Sequence, residues 1–189
     1  MIAILRGLPV DETVDLTIKC WEAGIHLVEV PYQSDVSLKA ISALAPLTNG
    51  EDRFIGAGTV CTADEAHAVA DAGAQFCISP GFFPESIAAA ADRSIPYLPG
   101  VATATEVHAA LALGLDVQKF FPADSLSPAT ISTLAGPFPQ VRFVVVGGIT
   151  VDNARSFLDA GALAVGVGSA LTRSPSAVES FSSLAAPAL

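Results

Sequence analysis

Positive charge is scarce in this sequence. Nine lysines and arginines stand against nineteen aspartates and glutamates in 189 residues, for a formal net charge of −10. There is no basic stretch to follow a nucleic-acid backbone or an anionic membrane surface, so neither partner is expected. The scarcity makes each cation informative, because a small anionic ligand must be met by local groups against the overall field. Cysteine is scarce as well. Cys20, Cys61 and Cys77 are odd in number, lie far apart and lack metal-ligand spacing, with no secretory signal before them. They read as reduced thiols, mostly buried. Of the three histidines, His26 opens an apolar run while His67 and His108 fall in helical segments. With no His/Cys/Asp cluster, no metal is expected. The opening run Ile2-Ala3-Ile4-Leu5 is far too short for a transmembrane or signal segment, and a soluble, cytoplasmic protein is expected.

The chain does carry apolar residues in quantity: 51% are hydrophobic and 15% charged, the balance of a well-buried globular protein. No linker, low-complexity segment or charge block divides it, so one domain over 1–189 is expected. Short apolar runs at 2–5, 26–30, 54–57, 75–79, 96–99, 117–121, 141–146 and 163–167 read as strands buried on both faces. Alanine-rich helices are expected between them, at 11–23, 34–46, 63–72, 84–92, 104–113, 127–135, 151–160 and 173–187. Thr62, Thr103 and Thr150 stand at N-cap positions, with Glu65, Glu106 and Asn153 three residues on as in a capping box. Gly24, Gly73, Gly114 and Gly161 close helices at the C′ position. Eight strands alternating with eight helices, none of the strands polar enough for an exposed edge, predict a compact (β/α)8 TIM barrel over a doubly wound open sheet. Such barrels usually take about 250 residues, so the loops must be very short.

In this fold, active sites lie at the C-terminal ends of the strands. Lys119, in Val117-Gln118-Lys119-Phe120-Phe121-Pro122, sits inside an apolar strand, where lysine is seldom buried without a reason. Desolvation there favours the free amine, the form that attacks a carbonyl carbon. A lysine paired with a buried carboxylate, or one whose head reaches solvent at the strand end, fits the position equally well. Glu29, in Val28-Glu29-Val30-Pro31, is the only acid within a strand run and suits a general acid/base. It also suits an ion pair with Lys119 or Arg6. Gly147-Gly148-Ile149-Thr150 and Gly166-Val167-Gly168-Ser169-Ala170 each open a helix after the last two strands, where such barrels hold phosphate. Tight turns alone would also call for those glycines. Arg6 can hold a carboxylate through two parallel hydrogen bonds, and Thr59 offers a hydroxyl nearby. Lys19 and Lys39, on helices, read as solvated.

Taken in order, these motifs, together with Ile55-Gly56-Ala57-Gly58-Thr59-Val60 and Pro99-Gly100-Val101-Ala102-Thr103-Ala104-Thr105-Glu106, resemble the 2-keto-3-deoxy-6-phosphogluconate (KDPG/KHG) aldolase family over nearly the whole chain. The resemblance implies a class I aldolase in which Lys119 forms a Schiff base with a 2-keto acid and Glu29 shuttles protons. It further implies that Arg6 and Thr59 contact the pyruvate end and that Gly148, Gly168 and Ser169 contact the phosphate end. A homotrimer without metal or cofactor is implied too. Gln33 stands where gluconate-type members usually carry arginine, and Val146 where they tend to carry threonine facing the substrate's C4 hydroxyl. Both features look closer to 2-dehydro-3-deoxy-6-phosphogalactonate aldolases, whereas Ile78-Ser79-Pro80-Gly81 and Ala135-Gly136-Pro137-Phe138 look gluconate-like. The expected reaction is cleavage of a 2-keto-3-deoxy-6-phospho sugar acid to pyruvate and glyceraldehyde 3-phosphate. A phosphosugar isomerase or epimerase, or a non-catalytic phosphometabolite-binding barrel, would share the phosphate site but would not need an amine in that strand.

Overall fold

In the computed structural model, which describes residues 1–48, 52–174 and 177–185, the chain forms one sheet of parallel strands wrapped by helices. The first half runs β1 (Ile2–Ile4), α1 (Val10–Glu22), β2 (Leu27–Pro31), α2 (Asp35–Leu44), β3 (Phe54–Gly58), α3 (Ala63–Asp71), β4 (Cys77–Ile78) and α4 (Pro84–Asp92). The second half runs β5 (Tyr97–Leu98), β6 (Gly100–Val101), α5 (Ala104–Ala112), β7 (Val117–Phe120), α6 (Pro128–Ala135), β8 (Arg142–Val146), α7 (Val151–Asp159), β9 (Ala164–Val167), α8 (Ser169–Arg173) and α9 (Ala177–Ala185). Strand order is β5-β4-β3-β2-β1-β9-β8-β7-β6, and every pairing is parallel.

The two ends of that order, β5 and β6, are consecutive pieces of one chain run. The fifth expected strand, 96–99, therefore holds β5 alone, and β6 follows beyond its end, with Pro99 between them. Proline has no N–H to give to a ladder, so pairing with β4 stops at Leu98. The Pro99 carbonyl still accepts from the Lys119 N–H at 2.8 Å, and Gly100 pairs with Lys119 on the other side. The run hands over from one neighbour to the other at this residue, and the barrel closes.

Strand alternation sorts the side chains into two cores. Ala3, Leu5, Val28, Val30, Ile55, Ala57, Phe120, Phe143, Val145, Val165 and Val167 pack outward against the helices. Ile2, Ile4, Ile78, Val144 and Val146 pack inward, with Leu27, Phe76, Leu98, Val117, Phe121 and Ala164 against them. The helix ends follow from local chemistry. All three threonine capping boxes form, and the four C′ glycines are all left-handed.

The expected last helix is different. In place of a single 173–187 helix there are two, α8 and α9, and residues 175, 176, 186 and 187 of that expected span lie outside the described residues. Ser174, which precedes a proline in the sequence, is extended and ends α8. Among the described residues, no helix is long and apolar enough to cross a membrane.

Space inside so narrow a barrel is taken up closely. A Cβ built on Gly56 would fall on the Phe76 ring, which fills the centre of the barrel beside it. Gly56→Ala should therefore lower stability by about 1–3 kcal/mol, the usual cost of overpacking a core. A fall in the urea midpoint at unchanged m value is the measurement that checks it.

Candidate active site

Three of the concave regions among the described residues could hold a small molecule. One, about 670 Å³, opens at the N-terminal end of the barrel and is lined mainly by apolar side chains such as Phe54, Leu98 and Leu163. A groove of about 580 Å³ runs over Gly7, Leu8, Gln33, Ser34 and Lys39. The third, about 200 Å³, lies at the C-terminal end of the barrel and gathers Arg6, Glu29, Thr59, Lys119, Phe121, Val146, Gly148, Gly168 and Ser169 around one space. Eight of the nine residues singled out in the sequence are in this set.

Lys119 and Glu29 reach it by the same rule. Each occupies an inward position of its strand, Lys119 between Val117 and Phe121 and Glu29 two residues after Leu27. Both are buried, Lys119 at 4% exposure and Glu29 at 1%. The Lys119 Nζ lies 4.8 Å from the centre of the Phe121 ring. Burial pushes the lysine below its ordinary pKa, with Arg6 acting the same way, while the Glu29 and Cys61 charges oppose the shift. Burial pushes Glu29 above the ordinary carboxyl value, against the pull of Lys119 and Arg6. Both shifts move the pair toward amine and carboxylic acid. The Glu29 Oε2 has no hydrogen-bond partner among the described residues. Room for this carboxylate comes from Gly58, where any Cβ would overlap it.

Arg6 extends from the end of β1, and its guanidinium donates to the Thr59 hydroxyl at 3.1 Å. Thr59 has φ +59°, a left-handed conformation uncommon for a β-branched residue. Across the cavity, Gly147 and Gly148 are left-handed, and the Asn153 side-chain amide donates to the Gly148 carbonyl at 2.9 Å. Asp124 packs against Gly148 where a side chain would otherwise stand.

Gln33 is the exception. It is exposed and lines the separate groove, away from Lys119. Strand β2 ends at Pro31, and the chain then turns into α2 with Ser34 as N-cap. The Gln33 N–H donates to Ser37 Oγ within that turn. Proximity in sequence to Glu29 does not carry Gln33 into the barrel. Of the three cysteines, Cys61 is the one only partly buried, and it lies near enough to Lys119 to feel its charge. Cys20 and Cys77 are buried. Asn153 was visible in the sequence only as a helix cap; its second bond, to Gly148, depends on a glycine turn that spacing alone does not reveal.

The KDPG and KHG aldolase family model matches residues 1–181. This chain belongs to that family. It is a carbon–carbon lyase by that membership. It is 40% identical over 150 residues to the 2-dehydro-3-deoxy-phosphogluconate aldolase of Treponema pallidum, a match spanning 79% of this chain and 70% of that protein. It is 35% identical over 180 residues to the 2-dehydro-3-deoxy-6-phosphogalactonate aldolase of Escherichia coli, covering 95% and 87% respectively. Among solved structures, the KDPG aldolase of Legionella pneumophila, with pyruvate captured as a covalent carbinolamine, superposes with a TM-score of 0.82 at 31% identity, covering 97% of this chain and 91% of that one.

The directions of the two pKa shifts give a test. A small acylating reagent should modify Lys119 along a pH limb lying below the ordinary lysine value. Glu29→Gln removes the negative field that favours the ammonium, so the limb should move to still lower pH. Mass spectrometry of the modified peptide reads the limb, and a shift to higher pH would contradict the assigned electrostatics.

Proposed function

We propose that this aldolase cleaves a 2-keto-3-deoxy-6-phospho sugar acid through a Schiff base on Lys119. The observation that carries the reading is the burial of one amine and one carboxyl group on the same small cavity, each shifted toward its neutral form. Lys119 attacks the C2 ketone, and loss of water gives an iminium ion. Glu29 gives its proton to that departing water and, now a carboxylate, takes the C4 hydroxyl proton, directly or through a water, as the C3–C4 bond breaks. The iminium accepts the electron pair as an enamine, which is protonated and hydrolysed to pyruvate. Glyceraldehyde 3-phosphate leaves as the other product.

Arg6, oriented by Thr59, takes the substrate carboxylate. Gly148, Gly168 and Ser169 take the phosphate at the other side of the cavity. A trans peptide directs its N–H opposite to its carbonyl, so Asn153, in holding the Gly148 carbonyl, turns the Ile149 N–H away from α7. Ile149 lines the cavity, and backbone donors of this kind suit a phosphate. The nearby Asp124 carboxylate opposes an anion, which leaves the attraction to those backbone groups.

Substrate choice turns on Val146, which lines the cavity, and no longer on Gln33, which does not. An apolar side chain at that place supports the galactonate-type epimer at C4, with the gluconate type as the poorer substrate. The family resemblance also supports a homotrimer acting in the cytoplasm on small molecules alone, without a cofactor.

Borohydride reduction in the presence of pyruvate should fix a three-carbon adduct on Lys119. An adduct on Lys19 or Lys39 would overturn the assignment. A coupled assay offering both epimers should show faster cleavage of the galactonate type. Val146→Thr should move the ratio of kcat/KM values toward the gluconate type by about tenfold, the scale of one hydrogen bond. Equal ratios before and after that substitution would remove Val146 from the selection.

A further inference from the structure

Thr59 is held in a conformation that its own side chain disfavours, and what holds it lies outside the cavity. A β-branched residue at φ +59° persists only where the surroundings over-determine it, at a cost of about 1–3 kcal/mol. The next residue, Val60, is held through both of its backbone groups. The Val60 N–H donates to the Ile78 carbonyl at 3.2 Å, which ties it to β4. Its carbonyl accepts from the Tyr97 hydroxyl at 2.7 Å, and Ser86 Oγ lies 3.4 Å from the same oxygen and 3.1 Å from the phenol. Val60, Ser86 and Tyr97 are all buried, on the outer face of the sheet. Neither Tyr97 nor Ser86 lines the cavity.

We propose that Tyr97, seated by Ser86, is a positioning residue for the carboxylate end of the substrate, acting through the Val60 carbonyl on Thr59 and so on Arg6. Arg6 is exposed, and Thr59 Oγ1 is its one hydrogen-bond partner among the described residues. Its aim therefore depends on where Thr59 stands. The phenol is well suited to this work. Burial raises its pKa, so it stays a donor across the working range of pH. The Val60 carbonyl cannot turn to water for a replacement, because it is enclosed. When the tyrosine hydroxyl is removed, Val60 loses one of its two backbone ties, and Thr59 before it can leave the left-handed region and release Arg6.

This inference rests on the proposed aldolase reading, in which Arg6 and Thr59 meet the keto acid. The probe is pyruvate, followed by exchange of its C3 protons with solvent. In Tyr97→Phe the KM for pyruvate should rise about five- to twentyfold, the effect of one buried hydrogen bond, with kcat changed less than about twofold. A merely structural role would not predict the double-mutant result. In a Thr59→Ala background, Tyr97→Phe should change KM less than about twofold. Ser86→Ala should shift KM in the same direction by a smaller factor, and it serves as the test if Tyr97→Phe does not fold. An unchanged KM in the folded variant overturns the proposal, as does an equal rise with and without Thr59. No exchange by the unaltered chain would overturn the aldolase reading and this inference together, whereas exchange with an unmoved KM overturns this inference alone.

Discussion

Lys119 and Glu29 are buried together inside the barrel, and each would be far costlier there alone. An isolated ammonium or carboxylate in such a place carries an effective desolvation penalty of several kcal/mol. Sharing one cavity, each favours the charged form of the other, while burial works against charge on both. The opposition leaves both groups able to exchange protons without a large change in the field around them. Proton-transfer chemistry needs that condition, and an apolar strand cannot supply it with one ionisable residue.

The rest of the interior is arranged around the room this pair requires. Gly58 gives up its side chain to the Glu29 carboxylate, and Gly56 to the Phe76 ring. Gly100, the register neighbour of Lys119, lets the backbone of Pro80 approach where a Cβ would stand. Gly166 does the same for Val146 and Ile4. Small residues at inward positions let a chain of this length keep a packed floor and an open upper cavity.

Most of the barrel is legible in the sequence because its signals are local. Threonine caps, C′ glycines and period-two alternation each act over a few residues, and alternation puts Lys119 on one face with Val117 and Phe121 without any knowledge of the neighbours. One failure is local: the divided last helix follows from Ser174 standing before a proline. The others are matters of tertiary arrangement. The break at Pro99 depends on which strand lies on each side, while the sequence reads 96–99 as one apolar run that ends there. Gln33 follows Glu29 closely, yet the turn after Pro31 directs it elsewhere. Tyr97 meets the Val60 carbonyl across 37 positions of sequence, and no spacing rule joins them. Asn153 was visible as a cap but not as the residue that orients the Gly148 peptide.

The handover at Pro99 has a consequence for how the barrel tolerates change. Everywhere else, adjacent strands are laced by ladders that resist sliding, so the circumference is fixed by hydrogen bonds. Between β5 and β6 it is fixed by the covalent chain, with the Gly100 N–H bonded to the Gly81 carbonyl at 3.2 Å as a cross-tie. This seam stands directly beside the nucleophile strand. The distance between β4 and the nucleophile strand is therefore set by the backbone of residues 98–100, a covalent span where every other neighbour is held by a ladder.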